Sequence, residues 1–157
     1  MRTFLISISL IIFSFTKAYT QNYNVEAYKF HKSISEAQQN IGKEIYYFNN
    51  RATDLNLKIL KFEINRSTKF IDSLKLYNNE LTYYNAAKKL FLMYNDIANH
   101  EFVDLLKIIE DPDLEAKDFK AKKLKIFDTI KKKTASAYPA YEDAQLQFCK
   151  KYGLKQD

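Results

Sequence analysis

Two glycines and two prolines in 157 residues leave this chain few places to turn. Glycine and proline punctuate loops and strand ends, so their scarcity predicts long uninterrupted helices. The apolar residues agree. Between Asn24 and Phe48 they recur as Ala27, Phe30, Ile34, Ala37, Ile41, Ile45 and Phe48, in steps of three and four. At the roughly 100° per residue of an α-helix, these positions fall in one stripe. "NNRATD" at 49–54 ends that segment and offers Thr53 or Asp54 as the next N-cap.

A second helix follows. Leu57, Leu60, Ile64, Thr68, Ile71 and Leu74 share one face and predict its core side. Leu55, Ile59, Phe62 and Phe70 gather on roughly the opposite face. Two readings of this second face stand: neighbours cover it, or it is exposed and marks a partner contact. "LYNNELT" at 76–82 predicts a turn or kink, although the pattern also allows helices two and three to be continuous. The third stripe runs through Tyr84, Ala87, Phe91, Tyr94, Ala98, Phe102, Leu105 and Ile109.

"EDPDLEAKDF" at 110–119 is the clearest break. Asp111 can cap the last helix and Pro112 can occupy its first position, where a missing N–H costs nothing. Phe119, Ile126, Phe127, Ile130, Thr134, Tyr141, Ala144, Phe148 and Tyr152 align along that helix, and Gly153 fits a left-handed stop. Pro139 removes one backbone hydrogen bond, which predicts a kink or two helices meeting near Ala137. The expected fold is all-α: an up-and-down four-helix bundle forming a single domain over 21–157.

The opening "MRTFLISISLIIFSFTKAYTQ" has the three parts of a cleavable secretory signal over residues 1–20: Arg2, an apolar run from Phe4 to Phe15, then small residues. The run is short for a membrane anchor. Cleavage is expected before Gln21, with a second option after Ala18. No cysteine lies there to carry a lipid. The expected product is exported, has no stable membrane span, and is periplasmic, surface-associated or extracellular. Losing Arg2 and Lys17 takes the net charge from +6 to +4.

Motifs that carry chemistry are scarce. There is no Gly-x-Ser-x-Gly, no glycine-rich phosphate loop and no Cys-x-x-Cys-His. His100 has Asp96 and Asp104 four residues to either side but lies about 180° from Phe91, on the solvated face. His31 falls near the margin of its stripe and reads as a boundary residue. These features predict a non-enzyme without metal or cofactor.

Lysines crowd the last helix at 117, 120, 122, 123, 125, 131, 132 and 133. Such a run, Lys131, Lys132 and Lys133 included, could meet an acidic surface, an anionic glycan or nucleic acid; the alternative is a solvated helix face, partly offset by Asp118 and Asp128. Beyond the leader the only arginines are Arg51 and Arg66. Nucleic acid is not expected, since export makes it a poor partner and base or phosphate recognition favours arginine. Cys149, the single cysteine, lies beside the apolar stripe. It reads as a small hydrophobe at the bundle margin, or as an interchain thiol in a weak homo-oligomer. Nothing near it in sequence forms a catalytic pair.

The segments "AAKKLFLMYNDIANHEFVDLLKII" (86–109) and "AYEDAQLQFCKKYGL" (140–154) resemble a family of small secreted helical surface proteins of unassigned function known from spirochaetes and Bacteroidota. The likeness covers about half the chain and implies an exported helical bundle, with no catalytic or binding residues to carry over. Members often bear a lipid-modified cysteine near the start, which is missing here, and Pro139 departs from the family's last helix.

The expected function is a non-catalytic binding or structural component of the cell envelope, with an envelope or extracellular protein as partner. Its candidate contact residues are Ile59, Phe62, Phe70, Lys131, Lys132 and Lys133. The alternative is a periplasmic small-ligand or metal carrier using the bundle interior.

Overall fold

The computed structural model describes residues 24–155, so the signal read over residues 1–20 lies outside the described residues. Five helices follow in order: α1 (Val25–Asn50), α2 (Asp54–Asp72), α3 (Leu81–Asn99), α4 (Glu101–Glu110) and α5 (Ala116–Tyr152). α3 and α4 form one arm interrupted at His100, so the architecture is the expected four-armed bundle.

Side-chain pairs fix its topology. His31 meets Cys149 and Ser35 meets Gln145, so α1 and α5 run antiparallel. His31 meets Tyr83 and Phe48 meets Phe102, so α1 runs parallel to the α3–α4 arm. With α2 returning alongside α1, the arms alternate up and down.

Local chemistry sets the helix ends. The Asn24 side chain accepts from the Ala27 N–H at 3.1 Å, and the Thr53 hydroxyl accepts from the Asn56 N–H at 3.2 Å. Each satisfies an otherwise orphaned amide. α2 and α3 are separate helices. Asn78 and Asn79 both take left-handed backbone angles, with φ of 46° and 55°, a region that asparagine tolerates better than most residues.

Three sequence expectations need correction. The third arm is broken at His100, which leaves the helical region with φ −120° and ψ −75°; Asn99 Nδ2 donates to the Asn95 carbonyl at 2.8 Å, and His100 Nδ1 lies 2.9 Å from that of Asp96. Its stripe turns inward on Tyr83 rather than Tyr84, and Ile109 is exposed. α5 starts at Ala116 rather than at Asp111–Pro112. Asp111 instead accepts from the Asp113 N–H at 3.1 Å, closing a turn between α4 and α5.

α5 continues through Pro139 as one 37-residue helix, about 55 Å long at 1.5 Å per residue. Pro139 and Ala135 are both exposed, so water can reach the carbonyl that proline leaves without a donor.

Gly153 ends α5 with φ 66° and ψ 27°. Its own N–H reaches the Lys150 carbonyl at 3.4 Å, and the Leu154 N–H reaches that of Cys149 at 2.8 Å. This pair of bonds is the Schellman closure. A Cβ built on Gly153 would meet nothing within 4 Å, so only backbone strain opposes substitution. Gly153→Ala should cost about 1 kcal/mol in urea denaturation and Gly153→Asn less, because asparagine enters the left-handed region more readily.

Candidate functional site

α2 presents two apolar faces. Leu57, Leu60, Ile64 and Ile71 are buried in the bundle. On the outer side Leu55 (65% exposed), Ile59 (42%), Phe62 (67%) and Phe70 (46%) face solvent. Coverage by neighbouring helices is therefore not found, and the exposed reading of this face holds. With Arg66, these residues occupy a sector of about 80° over about 22 Å of helix. Arg66 pairs with the nearly buried Glu63 at 2.8 Å, which also accepts from the Ser67 hydroxyl at 2.9 Å. Arg66 and Phe70 also border a shallow groove of about 270 Å³ against Glu36 and Asn40 of α1.

The three adjacent lysines have different roles. Lys133 is half-buried and lies 2.5 Å from Asp96 and 2.7 Å from Glu101, locking α5 to the α3–α4 junction. Burial pulls its ammonium pKa down, but the hydrogen bonds to the two carboxylates outweigh this and raise it. The Lys133 hydrogen bond likewise holds the Asp96 carboxyl below its usual range. Lys133 is thus a structural clamp, which corrects its reading as a contact residue. Lys132 pairs with Asp128 at 2.6 Å, and Lys131 is exposed.

The sequence reading missed a polar knot in the core. His31 is wholly buried rather than at a boundary, and its Nδ1 lies 3.2 Å from the Tyr83 hydroxyl. That hydroxyl lies 3.4 Å from the hydroxyl of Tyr141. Ser35 accepts from Gln145 Nε2 at 3.0 Å and also interacts with both tyrosines. Cys149 Sγ lies 3.8 Å from His31 Nε2.

The fold therefore supplies the thiol–imidazole neighbour that the local sequence lacks. Cys149 is only 2% exposed and His31 is sealed, so substrate has no route to the pair in this conformation. An interchain disulfide would first require α5 to lift from α1. Burial pushes the phenol pKa values of Tyr83 and Tyr141 upward, and the Tyr83–Tyr141 contact raises that of Tyr83 further. The knot's hydrogen-bonding groups fix the register of α1, α3 and α5. One signal was legible: Ala27, His31 and Ser35 recur at i+4 along the edge of the α1 stripe.

His100 is exposed, with Nδ1 2.9 Å from Asp96, while Asp104 is held by Lys107 at 2.9 Å. Among the described residues no group of three or more His, Cys, Asp and Glu side chains is placed to hold a metal ion. No described helix is long and apolar enough to cross a membrane.

These features define an all-helical bundle with a filled core and two distinctive outer faces. No family model, no curated protein and no solved structure matches the chain.

Proposed function

We propose that the chain is an exported, non-catalytic binding component of the cell envelope, which docks a partner protein through the outer face of α2. The exposed stripe Leu55, Ile59, Phe62 and Phe70 carries this reading. A contiguous row of large apolar side chains, two of them phenylalanines, is the composition of an interface centre rather than of an ordinary solvated helix. Export rests on the residue 1–20 pattern, and the family likeness over 86–109 and 140–154 is in keeping with it. The partner is a different protein. Two copies paired antiparallel about Phe62 would set Lys58 of one near Arg66 of the other, each already paired within its own helix, so neither copy offers the other a complementary charge.

Crosslinking in the native envelope tests the proposal. Wild type should give a discrete crosslinked species that Phe62→Glu weakens at least about tenfold. Phe62 is so exposed that this change should move stability by no more than about 0.5 kcal/mol. An unchanged crosslink pattern in Phe62→Glu would overturn the assignment. So would a crosslinked species that proves to be a homodimer.

A second reading, a small-ligand carrier, has one observation in its favour. An apolar groove of about 220 Å³ lies beside the core, lined by Ile45, Tyr94, Ile97, Phe102, Phe127 and Ile130. The interior itself is filled by Phe30, Tyr83, Phe91 and Phe148. Native mass spectrometry of the exported protein distinguishes the readings, because a carrier would retain a stoichiometric small molecule.

A further inference from the structure

We infer that the N-terminal half of α5 is a binding site for a linear anionic polysaccharide, independent of the α2 face. The first observation is where the charge sits. Residues 116–134 hold eight lysines against two aspartates. The rest of the chain beyond residue 20 holds fifteen lysines and arginines against seventeen acids. The whole positive surplus therefore lies on about 28 Å of one helix.

The second observation is a weak packing role. No residue from Lys107 to Ala140 is fully buried, so this half of α5 gives the core no fully buried side chain. Its inner side, with Ile126 and Ile130, is only half-buried.

The arrangement of the outer side identifies the ligand class. Lys117, Lys120, Leu124 and Lys131 share a sector of about 60° on the wheel, with Asp128 at its edge paired to Lys132, and all are exposed. Lys125 flanks them. Cations strung along about 21 Å of one helix match an extended polyanion better than a single compact phosphate. Lysine is a hydrated point charge that tracks such a polymer without demanding one fixed geometry, whereas arginine forks suit bidentate recognition. Leu124, 60% exposed in the middle of the row, offers the C–H face of a sugar ring an apolar contact. Lys123 lies within 6 Å of both the Phe119 and Phe127 ring centroids, which holds it at the edge of the surface. A bilayer fits less well. Interfacial helices bury a broad apolar face, and the basic side here carries only Leu124 with Phe127 at its margin.

The test measures binding of the purified protein to polygalacturonate, dextran sulfate, neutral dextran and phosphatidylglycerol vesicles, by calorimetry over a series of salt concentrations. Binding to at least one charged polysaccharide is expected, with log K falling linearly in log salt as counterions are released. The two charged polymers tell a carboxylate ligand from a sulfate ligand. Replacing Lys117, Lys120, Lys125 and Lys131 with Gln should weaken binding about tenfold or more. Replacing Lys29, Lys75, Lys89 and Lys155 with Gln removes the same charge elsewhere and should change it less than about twofold. Gln retains helix propensity, and thermal melts of both variants check the fold. Equal losses in the two variants would reduce the effect to net charge and overturn the site. Absence of binding, equal binding to neutral dextran, or tighter binding to vesicles would each overturn it as well.

Discussion

Phe148→Ala is expected to destabilise the protein by about 3–5 kcal/mol, the range for deleting a ring from a packed core. Phe148 is 2% exposed, and its ring centroid lies 4.7 Å from Tyr152, 5.2 Å from Tyr83 and 5.6 Å from Phe30. It also stacks on His31 at 6.3 Å. Truncation opens a cavity beside the polar knot, and the neighbouring rings belong to three different arms, so the gap closes poorly. The cost is a large share of the stability of a domain this size, typically about 5–15 kcal/mol. Urea denaturation should show a lower midpoint with an unchanged slope. A loss under about 1 kcal/mol would mean that Phe148 is not the keystone its contacts suggest.

The second large effect is alkaline. Burial raises the pKa of Tyr83, Tyr94 and Tyr141, that of Tyr94 to about 12, against an unfolded value of 10.0. The folded state therefore keeps these protons to higher pH than the unfolded chain. The stability they represent is fully present below about pH 10 and is lost as pH rises, for Tyr94 between about 10 and 12. Once all three phenols ionise in the unfolded chain, the slope approaches about 4 kcal/mol per pH unit. Lys133, whose pKa is also raised, adds to it in the same direction. The urea midpoint should hold steady up to about pH 9 and then fall steeply, with the buried tyrosines' share of the phenolate absorbance appearing together with unfolding. Tyr94→Phe should flatten the fall between about pH 10 and 12. A midpoint independent of pH across that window would refute the burial argument.

The core stripes of α1 and α2 were legible because period alone defines them: Ala27 through Phe48, and Leu57 through Ile71, needed no knowledge of neighbours. The asparagine turn was legible because Asn78 and Asn79 carry their conformational preference locally. The break at His100 was harder. It lies in the backbone angles of His100 and the side-chain contacts of Asn99 and His100 one turn back, which the apolar pattern does not encode. His31 was misplaced for a different reason. A histidine at a stripe's edge reads as marginal until Tyr83 and Cys149, separated from it by 52 and 118 positions, arrive to bury it. Whether Phe62 faced solvent also hung on how many arms surround α2, which is a property of the assembled bundle. Lys131 and Lys133 look alike in a row of lysines. Only the positions of Asp96 and Glu101 turn one into a clamp and leave the other outside.

α5 is one helix in geometry, but its two halves are held by different means. From Tyr141 to Cys149 it is anchored by buried rings and the polar knot, so amides there open only with the whole domain. From Ala116 to Ala140 no side chain is fully buried, and the segment can fray turn by turn until it reaches the Lys133 clamp. Pro139 stands at the boundary, where one rung of the backbone ladder is already missing, so unwinding that passes the clamp has a natural stopping point. Apart from Lys133 and the half-buried Ile126 and Ile130, sequence change in this outer half is correspondingly weakly coupled to folding. Its charge pattern can drift or be tuned while the anchored half keeps the bundle intact.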